Sequence, residues 1–225
     1  MKTILLKLAF AVAATLAALS NAHAQVTVTI DHNPVGTQKF TFNRVPTPSK
    51  DDAAAQGKWL LLVGELDSNA VGFAALNDGL LPANQDQPTA NFFSRAGSSG
   101  GRFRLDLGKL VEVAQVNSYS WHPNSRGPQV YLLYASDGAD PKFNPEPNGY
   151  VDPTTAGWKL LTIVDTRQKY GPMGGQYGVS VAAASGALGK YRYLLFDTVA
   201  TEIEDDWGNT FYSEIDVIER VPPSK

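Results

Sequence analysis

Residues 102–138 constrain the fold more than any other part of this chain. They read RFRLDLGKLVEVAQVNSYSWHPNSRGPQVYLLYASDG. Within them, Arg102–Leu107, Val111–Tyr119 and Gln129–Ala135 are rich in β-branched, aliphatic and aromatic residues, and glycine, proline, asparagine or serine separates them. Short runs of this composition bounded by turn residues predict strands. The order predicts a rigid β framework with a small polar and aromatic loop at its rim.

The rest of the chain continues this pattern, because strand-like runs alternate with long polar loops and helical periodicity is scarce. We find no internal repeat and no domain linker. The further predicted strands are Val26–Ile30, Trp59–Val63, Trp158–Asp165, Tyr191–Asp197 and Phe211–Ile218. The glycine-rich stretch Gly171–Gly178 is predicted to be a sharp loop between strands. The simplest fold is all-β, a single antiparallel β-sandwich.

The first 24 residues have the pattern of a secretory signal peptide. Met1-Lys2 and Lys7 precede an apolar run, and Ala22-His23-Ala24 has the small-x-small form of a cleavage site. The run is too short to cross a bilayer. We therefore expect export to the periplasm or the extracellular medium. A retained N-terminal anchor is the alternative.

Charge and residue usage exclude several classes of function. The net charge of −3 becomes −5 without the leader, which removes Lys2 and Lys7 and no acid. An acidic chain is unsuited to nucleic acid or to an anionic membrane surface. The chain has no cysteine, so thiol nucleophiles and disulfides are excluded, and only His32 and His122 remain after cleavage. A multi-histidine metal centre is therefore impossible.

Seven short motifs occur in the order used by one known family. They are Asn77-Asp78-Gly79, Asp86-Gln87-Pro88-Thr89, Leu105-Asp106-Leu107-Gly108, Tyr134-Ala135-Ser136-Asp137-Gly138, Trp158-Lys159-Leu160-Leu161, Gly189-Lys190-Tyr191-Arg192-Tyr193-Leu194 and Ser213-Glu214-Ile215-Asp216-Val217. In this order the chain resembles the discoidin, or coagulation factor V/VIII type C, domains and the carbohydrate-binding modules of the same galactose-binding-like fold.

The resemblance implies an eight-stranded sandwich of jelly-roll type and a non-catalytic binding function, usually towards glycans and sometimes towards lipid headgroups or protein. On this resemblance we expect residues 74–219 to form the core of the sandwich, 25–73 to supply its first strands and loops, and 220–225 to form a loose tail. A six-residue insertion, Leu80–Gln85, splits the compact loop of the family. Fold alone does not fix the ligand.

The resemblance also implies a structural calcium ion where the Asp-Gly loop meets the last strand. Asp78, Asp86, Thr89 and Glu214 would supply carboxylate, hydroxyl or carbonyl oxygen atoms, which are the ligands that calcium prefers. The alternative is a self-contained turn at Asp78 and a Glu214 satisfied by neighbouring protein groups.

Four residues on the loop after the predicted strand Val111–Tyr119 suit a neutral sugar. Trp121 can stack on the apolar face of a sugar ring, and His122, Asn124 and Arg126 can hydrogen-bond its hydroxyl groups. The alternative is that Trp121 belongs to the core, because it alternates with Tyr119 along the strand.

A second loop offers another wall of the same pocket. Trp207 and Asn209 lie there beside an acidic run that includes Asp205 and Asp206. The alternative is a solvated acidic loop with Trp207 covering the core. Paired acids in this region, with Glu214, also leave open a glycoside-cleaving enzyme of the envelope.

Three functions follow from the sequence. The first is an exported, non-catalytic protein that binds a glycan or polysaccharide and holds one structural calcium ion. The second is a protein-interaction or envelope structural module without a small ligand, which predicts that Trp121 and Trp207 are buried. The third is a polysaccharide-acting enzyme, which needs two acids about 5–10 Å apart in one cleft.

Overall fold

The computed structural model describes residues 25–40, 42–169, 171–201 and 209–221. The predicted leader, Trp207 and the last four residues of the predicted tail lie outside these ranges. No helix of the described residues is long and apolar enough to cross a membrane.

Eight strands account for the regular structure. They are β1 (Val26–Asn33), β2 (Lys58–Val63), β3 (Gly100–His122), β4 (Val130–Ser136), β5 (Lys159–Asp165), β6 (Gly175–Ala183), β7 (Gly189–Val199) and β8 (Tyr212–Glu219). Three single 3-10 turns, at Phe73–Leu76, Pro88–Ala90 and Pro153–Ala156, lie in the loops between them.

Strand β3 belongs to two sheets. Its first part, from Gly100 to Asp106, pairs with β2 and β7, and its last part pairs with β6 and β8. One sheet therefore has the order β5-β4-β7-β3-β2 and the other β1-β6-β3-β8, with every pairing antiparallel. The register shifts between Asp106 and Val111, and Gly108 has a φ of 74° there. The two separate strands predicted here are one strand with an irregular bend.

The core lies between the two sheets. Phe103, Leu133 and Phe196 come from one sheet and are fully buried in the same cluster as Val179 and Ile215 from the other. Apolar side chains from two sheets meeting in one cluster are the defining property of a β-sandwich. The predicted all-β antiparallel sandwich is confirmed.

Strand β6 corrects one sequence prediction, because it begins at Gly175 inside the stretch predicted as a loop. Gly178 lies within the strand, and a Cβ atom there would stand 2.8 Å from the ring of Phe42. The glycine therefore allows the N-terminal segment to lie flat on the sheet, which is a use of glycine that a strand permits.

The N-terminal part of the chain completes the second sheet by covering an edge. The backbone N–H of Ala53 donates to the carbonyl of Val217 (2.9 Å), and the N–H of Val217 donates to the carboxylate of Asp52 (3.1 Å). Residues 49–56 therefore protect the outer edge of β8, where an unpaired strand would otherwise be exposed.

The long loop between β4 and β5 is held by one buried arginine. The guanidinium group of Arg102, on β3, donates to the carbonyls of Asn148 (2.8 Å) and Val151 (2.9 Å). It also forms an ion pair with Asp197 of β7 (2.6 Å). A planar guanidinium with several donors suits such a multiple contact.

Candidate functional site

Several polar and aromatic side chains lie together at the end of the sandwich where β3 leads into β4. His122 ends β3, Asn124 and Arg126 lie in the connection to β4, and Phe211 immediately precedes β8. The N–H of Phe211 donates to the carbonyl of Arg126 (3.0 Å), so the two segments are tied together. We call this group of residues, together with Asp86, the rim site.

His122 is buried, yet one of its nitrogen atoms has no hydrogen-bond partner in the part of the chain that the structure describes. Its Nδ1 accepts the backbone N–H of Asn124 (3.2 Å), so the neutral ring carries its proton on Nε2. Among the described residues, Nε2 has no hydrogen-bond partner. The Oδ1 atom of Asp86 is 3.8 Å from it, which is too long for a direct hydrogen bond.

Electrostatics keep His122 neutral. Its pKa is lowered to about 4, chiefly by burial and also by the nearby charge of Arg126, while the charge of Asp86 acts in the opposite direction. The ring and Asp86 are therefore not an ion pair near neutral pH. The Nε2–H group is a buried donor that faces an exposed carboxylate. A ligand that accepts a hydrogen bond from such a donor gains binding free energy.

Aromatic rings form the floor of the rim site. Phe211 contacts His122 edge-to-face, with a centroid distance of 4.8 Å, and stacks on Phe93 at 4.2 Å. The guanidinium carbon of Arg126 lies 5.1 Å from the centre of the Phe211 ring, a favourable cation–π distance. Asn124 is exposed, and its side-chain oxygen accepts the N–H of Arg126 (3.3 Å).

Trp121 lies on the other side of the strand, so the structure separates it from the rim site. Only 4% of its surface is exposed, and its ring contacts Phe40 edge-to-face at 5.2 Å. A Cβ atom at Gly36 would stand 2.6 Å from its Nε1 atom. This placement does not fit the predicted stacking role, because the segment around Gly36 and Phe40 covers the ring. In the sequence, the signal for this burial was the alternation of Trp121 with Tyr119 along the strand.

The second predicted wall is only partly within the described residues. Asn209 is buried, and its amide donates to the carbonyl of Arg95 (3.0 Å) and the hydroxyl of Ser98 (3.2 Å). Its donors are thus used to fix the chain beside the rim site. Trp207 lies outside the described residues.

The four predicted calcium ligands are not assembled as one set. Asp86 faces His122 instead of the others. The side chain of Asp78 accepts the N–H of Leu80 (2.8 Å), the turn that the alternative predicted. Glu214 is fully buried, and its carboxylate accepts the N–H groups of Gly79 (2.6 Å) and Ile215 (3.2 Å). No group of three or more acidic or histidine side chains in the described ranges is arranged to hold a metal ion.

The chemistry of these donors therefore does not fit a calcium cage made from all four residues. Calcium would replace the N–H donors that now satisfy Glu214, because a cation and an N–H group compete for the same oxygen lone pairs. The pKa of Glu214 is raised to about 9, chiefly by burial and also by the charge of Asp216. The carboxyl group is thus held in a place where its charge is disfavoured.

Sequence reasoning missed a pair of carboxyl groups next to Glu214, of which Asp216 is fully buried and Asp52 is half-buried. Asp52 and Asp216 share a hydrogen bond, and Asp216 also accepts the hydroxyl of Tyr119 (3.1 Å). The pKa of Asp52 is raised to about 7, chiefly by burial and also by the charge of Asp216. The available signal was the position of Asp216 two residues beyond Glu214, on the same face of a strand.

The burial of Glu214 also affects the enzyme hypothesis. A glycoside-cleaving pair needs two carboxyl groups that reach the substrate in one cleft. Glu214 has no exposed surface, so it cannot meet a polysaccharide in this structure. Asp205 and Asp206 lie outside the described residues.

A cleft of about 270 Å³ is lined by residues of the turns Phe73–Leu76 and Pro88–Ala90, and both Asp78 and Thr89 line it. Gln87 lines it as well, and the preceding residue, Asp86, faces His122.

Comparison with sequences gives no relative. No protein-family model matches the chain, and no curated protein matches it.

Comparison with solved structures gives 86 similar chains. One is SpGH29, with 12% identity, a TM-score of 0.47 and 77% of this chain covered; the chain spans only 29% of that protein. A second is the module CBM32-1 from a family 31 glycoside hydrolase of Clostridium perfringens, with 12% identity, a TM-score of 0.45 and coverage of 76% and 99% of the two chains. A third is a variant of the lectin binding domain of Lectinolysin complexed with Lewis b, with 11% identity, a TM-score of 0.47 and coverage of 77% and 99%.

Proposed function

We propose that this chain is an exported, non-catalytic carbohydrate-binding protein of the discoidin-like type, and that its rim site binds a neutral glycan. The partner is a glycan or a polysaccharide. A further proposed partner is another envelope or extracellular protein.

The observation that carries this proposal is the unsatisfied donor of His122. A buried Nε2–H group without a partner among the described residues faces an exposed carboxylate 3.8 Å away. A sugar hydroxyl can accept from one and donate to the other at the same time, because a hydroxyl has both capacities. Asn124 and Arg126 border the same place and suit further hydroxyl groups.

The charge of the rim site supports a neutral ligand. His122 is neutral, and Asp86 and Arg126 carry opposite charges, so these three side chains together have no net charge that would favour an anionic sugar. Glu214, one of the acids of the enzyme hypothesis, has no exposed surface, which supports binding without bond cleavage. Export and a structural calcium ion remain parts of the proposal that rest on the sequence.

The test is a glycan-array screen of residues 25–225, in calcium and again in excess chelator. We expect binding by the unaltered chain. Binding should fall at least tenfold in His122→Phe, which keeps a ring of similar size against Phe211 and removes the Nε2–H donor. Asp86→Asn should weaken binding as well.

Asp137→Asn is the matched control, because this exposed carboxylate lies in a different turn. It should bind as the unaltered chain does. A blank array from folded protein would contradict carbohydrate binding. Unchanged binding by His122→Phe would place the glycan elsewhere on the molecule.

A protein-interaction module is the second candidate, and the burial of Trp121 favours it. That burial is one of the marks that the sequence assigned to this function. Strand β5 is the edge of its sheet and exposes Ile163 by 58%. A blank glycan array together with retained folding would make this candidate the better one.

A further inference from the structure

The loop between β4 and β5 contains Asn148-Gly149, the only asparagine–glycine pair in the sequence. Both residues are exposed. Glycine has no side chain to shield its backbone nitrogen, and its backbone rotates more freely than that of any other residue. The nitrogen of Gly149 can therefore approach the side-chain amide of Asn148 more easily than the following nitrogen can at any other asparagine of this chain.

The structure holds the side chain of Asn148 in a way that favours attack on its Cγ atom. Its Oδ1 atom accepts the N–H of Tyr150 (3.0 Å). A donor in this position draws electrons from Cγ and stabilises the negative charge that develops on Oδ1 when a nucleophile attacks. The N–H of Gly149 and the side-chain NH₂ of Asn148 make no hydrogen bond with a described residue. The described protein therefore restrains neither the nucleophile nor the leaving group.

Asn144, in the same loop, provides an internal comparison. It is also exposed, and its Oδ1 atom accepts the N–H of Glu146 (2.9 Å). The residue that follows it is Pro145, whose backbone nitrogen carries no hydrogen atom and cannot close a neutral ring onto the side chain. The two asparagines thus share their exposure and their hydrogen bond, and they differ in the residue that follows.

We propose that Asn148 is a site of spontaneous deamidation, at which water converts the asparagine into aspartate and isoaspartate. The nitrogen of Gly149 gives its proton to hydroxide and bonds to Cγ, while the bond from Cγ to Nδ2 breaks and Nδ2 takes a proton from water and leaves as ammonia. Water then opens the resulting succinimide ring at one of its two carbonyl carbon atoms. Opening at Cγ gives aspartate, and opening at the backbone carbonyl carbon gives isoaspartate.

The isoaspartate form should loosen the loop. The backbone carbonyl of Asn148 accepts the guanidinium group of Arg102 (2.8 Å) and the N–H of Val151 (3.1 Å). In isoaspartate this carbonyl becomes a free carboxylate, and the main chain runs through Cγ instead. Arg102 would then hold a side group and no longer the main chain at this position. The reaction needs no ligand, so it is independent of glycan binding.

The experiment is ageing of folded residues 25–225 at mildly alkaline pH, followed by digestion with trypsin at mildly acidic pH. Cleavage after Lys142 and Lys159 gives one peptide, 143–159, that contains both Asn144 and Asn148. Mass spectrometry with electron-based fragmentation identifies the altered residue and distinguishes isoaspartate from aspartate. We expect OH to replace NH₂ at Asn148 and not at Asn144, isoaspartate to form, and conversion to be slower at mildly acidic pH. An unaged sample gives the background.

Two variants test the chemistry and its consequence. Gly149→Ala keeps Asn148 and adds a Cβ atom 3.3 Å from Val63, so conversion should slow by about tenfold because the added atom restricts the approach of the nitrogen. Asn148→Asp has the charge of the product and an unaltered main chain. Limited proteolysis between β4 and β5 should be faster in the aged chain than in the fresh chain, and Asn148→Asp should behave as the fresh chain does.

Three results would overturn the proposal. They are an unaltered Asn148 after ageing, equal conversion at Asn144, and conversion at the same rate in Gly149→Ala. Conversion to isoaspartate with unchanged proteolysis would overturn the loosening of the loop. A blank glycan array would leave all of these expectations as they are.

Discussion

Replacing Arg102 by alanine should destabilise the fold more than the loss of any surface ion pair. The side chain of Arg102 is 7% exposed and that of its partner Asp197 is 30% exposed. The substitution leaves this carboxylate without its counter-charge, leaves the carbonyl of Val151 without a donor among the described residues, and removes one of the two donors to the carbonyl of Asn148. Breaking a buried pair from one side costs about 3–5 kcal/mol.

The partial exposure of Asp197 places the expected loss at the lower end, about 3 kcal/mol, because water screens the remaining charge. This corresponds to a more than hundredfold smaller folding constant. The measurement is urea unfolding followed by tryptophan fluorescence, in which the midpoint should fall by about 1 M. Limited proteolysis should show cleavage between β4 and β5, since Arg102 holds that loop.

Arg192→Ala is the matched control. Arg192 also pairs with an aspartate, Asp106, through two hydrogen bonds (2.8 and 3.0 Å), but its side chain is 41% exposed. An exposed pair contributes at most about 1 kcal/mol. Equal midpoints for the two variants would refute the conclusion that burial, and not pairing, makes Arg102 important.

Three further predictions concern buried acids and the N-terminal segment. The pKa values of Glu214 and Asp52 are raised, so the folded state keeps protons that the unfolded chain releases near pH 4. In chelator, the free energy of unfolding should therefore fall as the pH rises through about 7 and 9. A free energy of unfolding that is constant or rises over this range would contradict the burial of these groups. If calcium binds Glu214, added calcium should raise the urea midpoint at pH 8, and an unchanged midpoint would count against the ion. Gly36→Ala should lower the free energy of unfolding by about 2 kcal/mol, because the φ of Gly36 is 55° and the new Cβ atom would meet Trp121. Gly108→Ala should lower it by only about 1 kcal/mol, because Gly108 has a φ of 74° but no neighbour within 4 Å. Equal losses would show that the ring of Trp121 moves aside without cost.

The strands were predictable from the sequence where one periodicity dominated. The alternation of Phe103, Leu105 and Leu107 fixed which side chains enter the core, since a strand turns successive side chains to opposite faces. Strand β6 was missed because two of its first four residues, Gly175 and Gly178, are glycines, which carry no side chain to reveal a face. Only the ring of Phe42, far away in the sequence, explains why Gly178 is needed there.

The rim site was predictable in part. The proximity of His122 and Arg126 follows from their separation by four residues, and the turn residues between them predicted a loop. The contact of His122 with Asp86 could not be predicted, because the two residues are 36 positions apart and meet only through the path of the insertion. The sequence therefore assigned Asp86 to the metal site.

The sequence alone determined the all-β class, the absence of thiol chemistry and the polar character of the loop after β3. These properties depend on composition and short-range periodicity, which no tertiary contact can change. Tertiary structure alone decided that Trp121 is buried under the N-terminal segment while His122, the next residue, faces the rim site with a donor that no described residue satisfies. Adjacent residues of a strand point to opposite sides, and only the packing of distant segments decides which of those sides is covered.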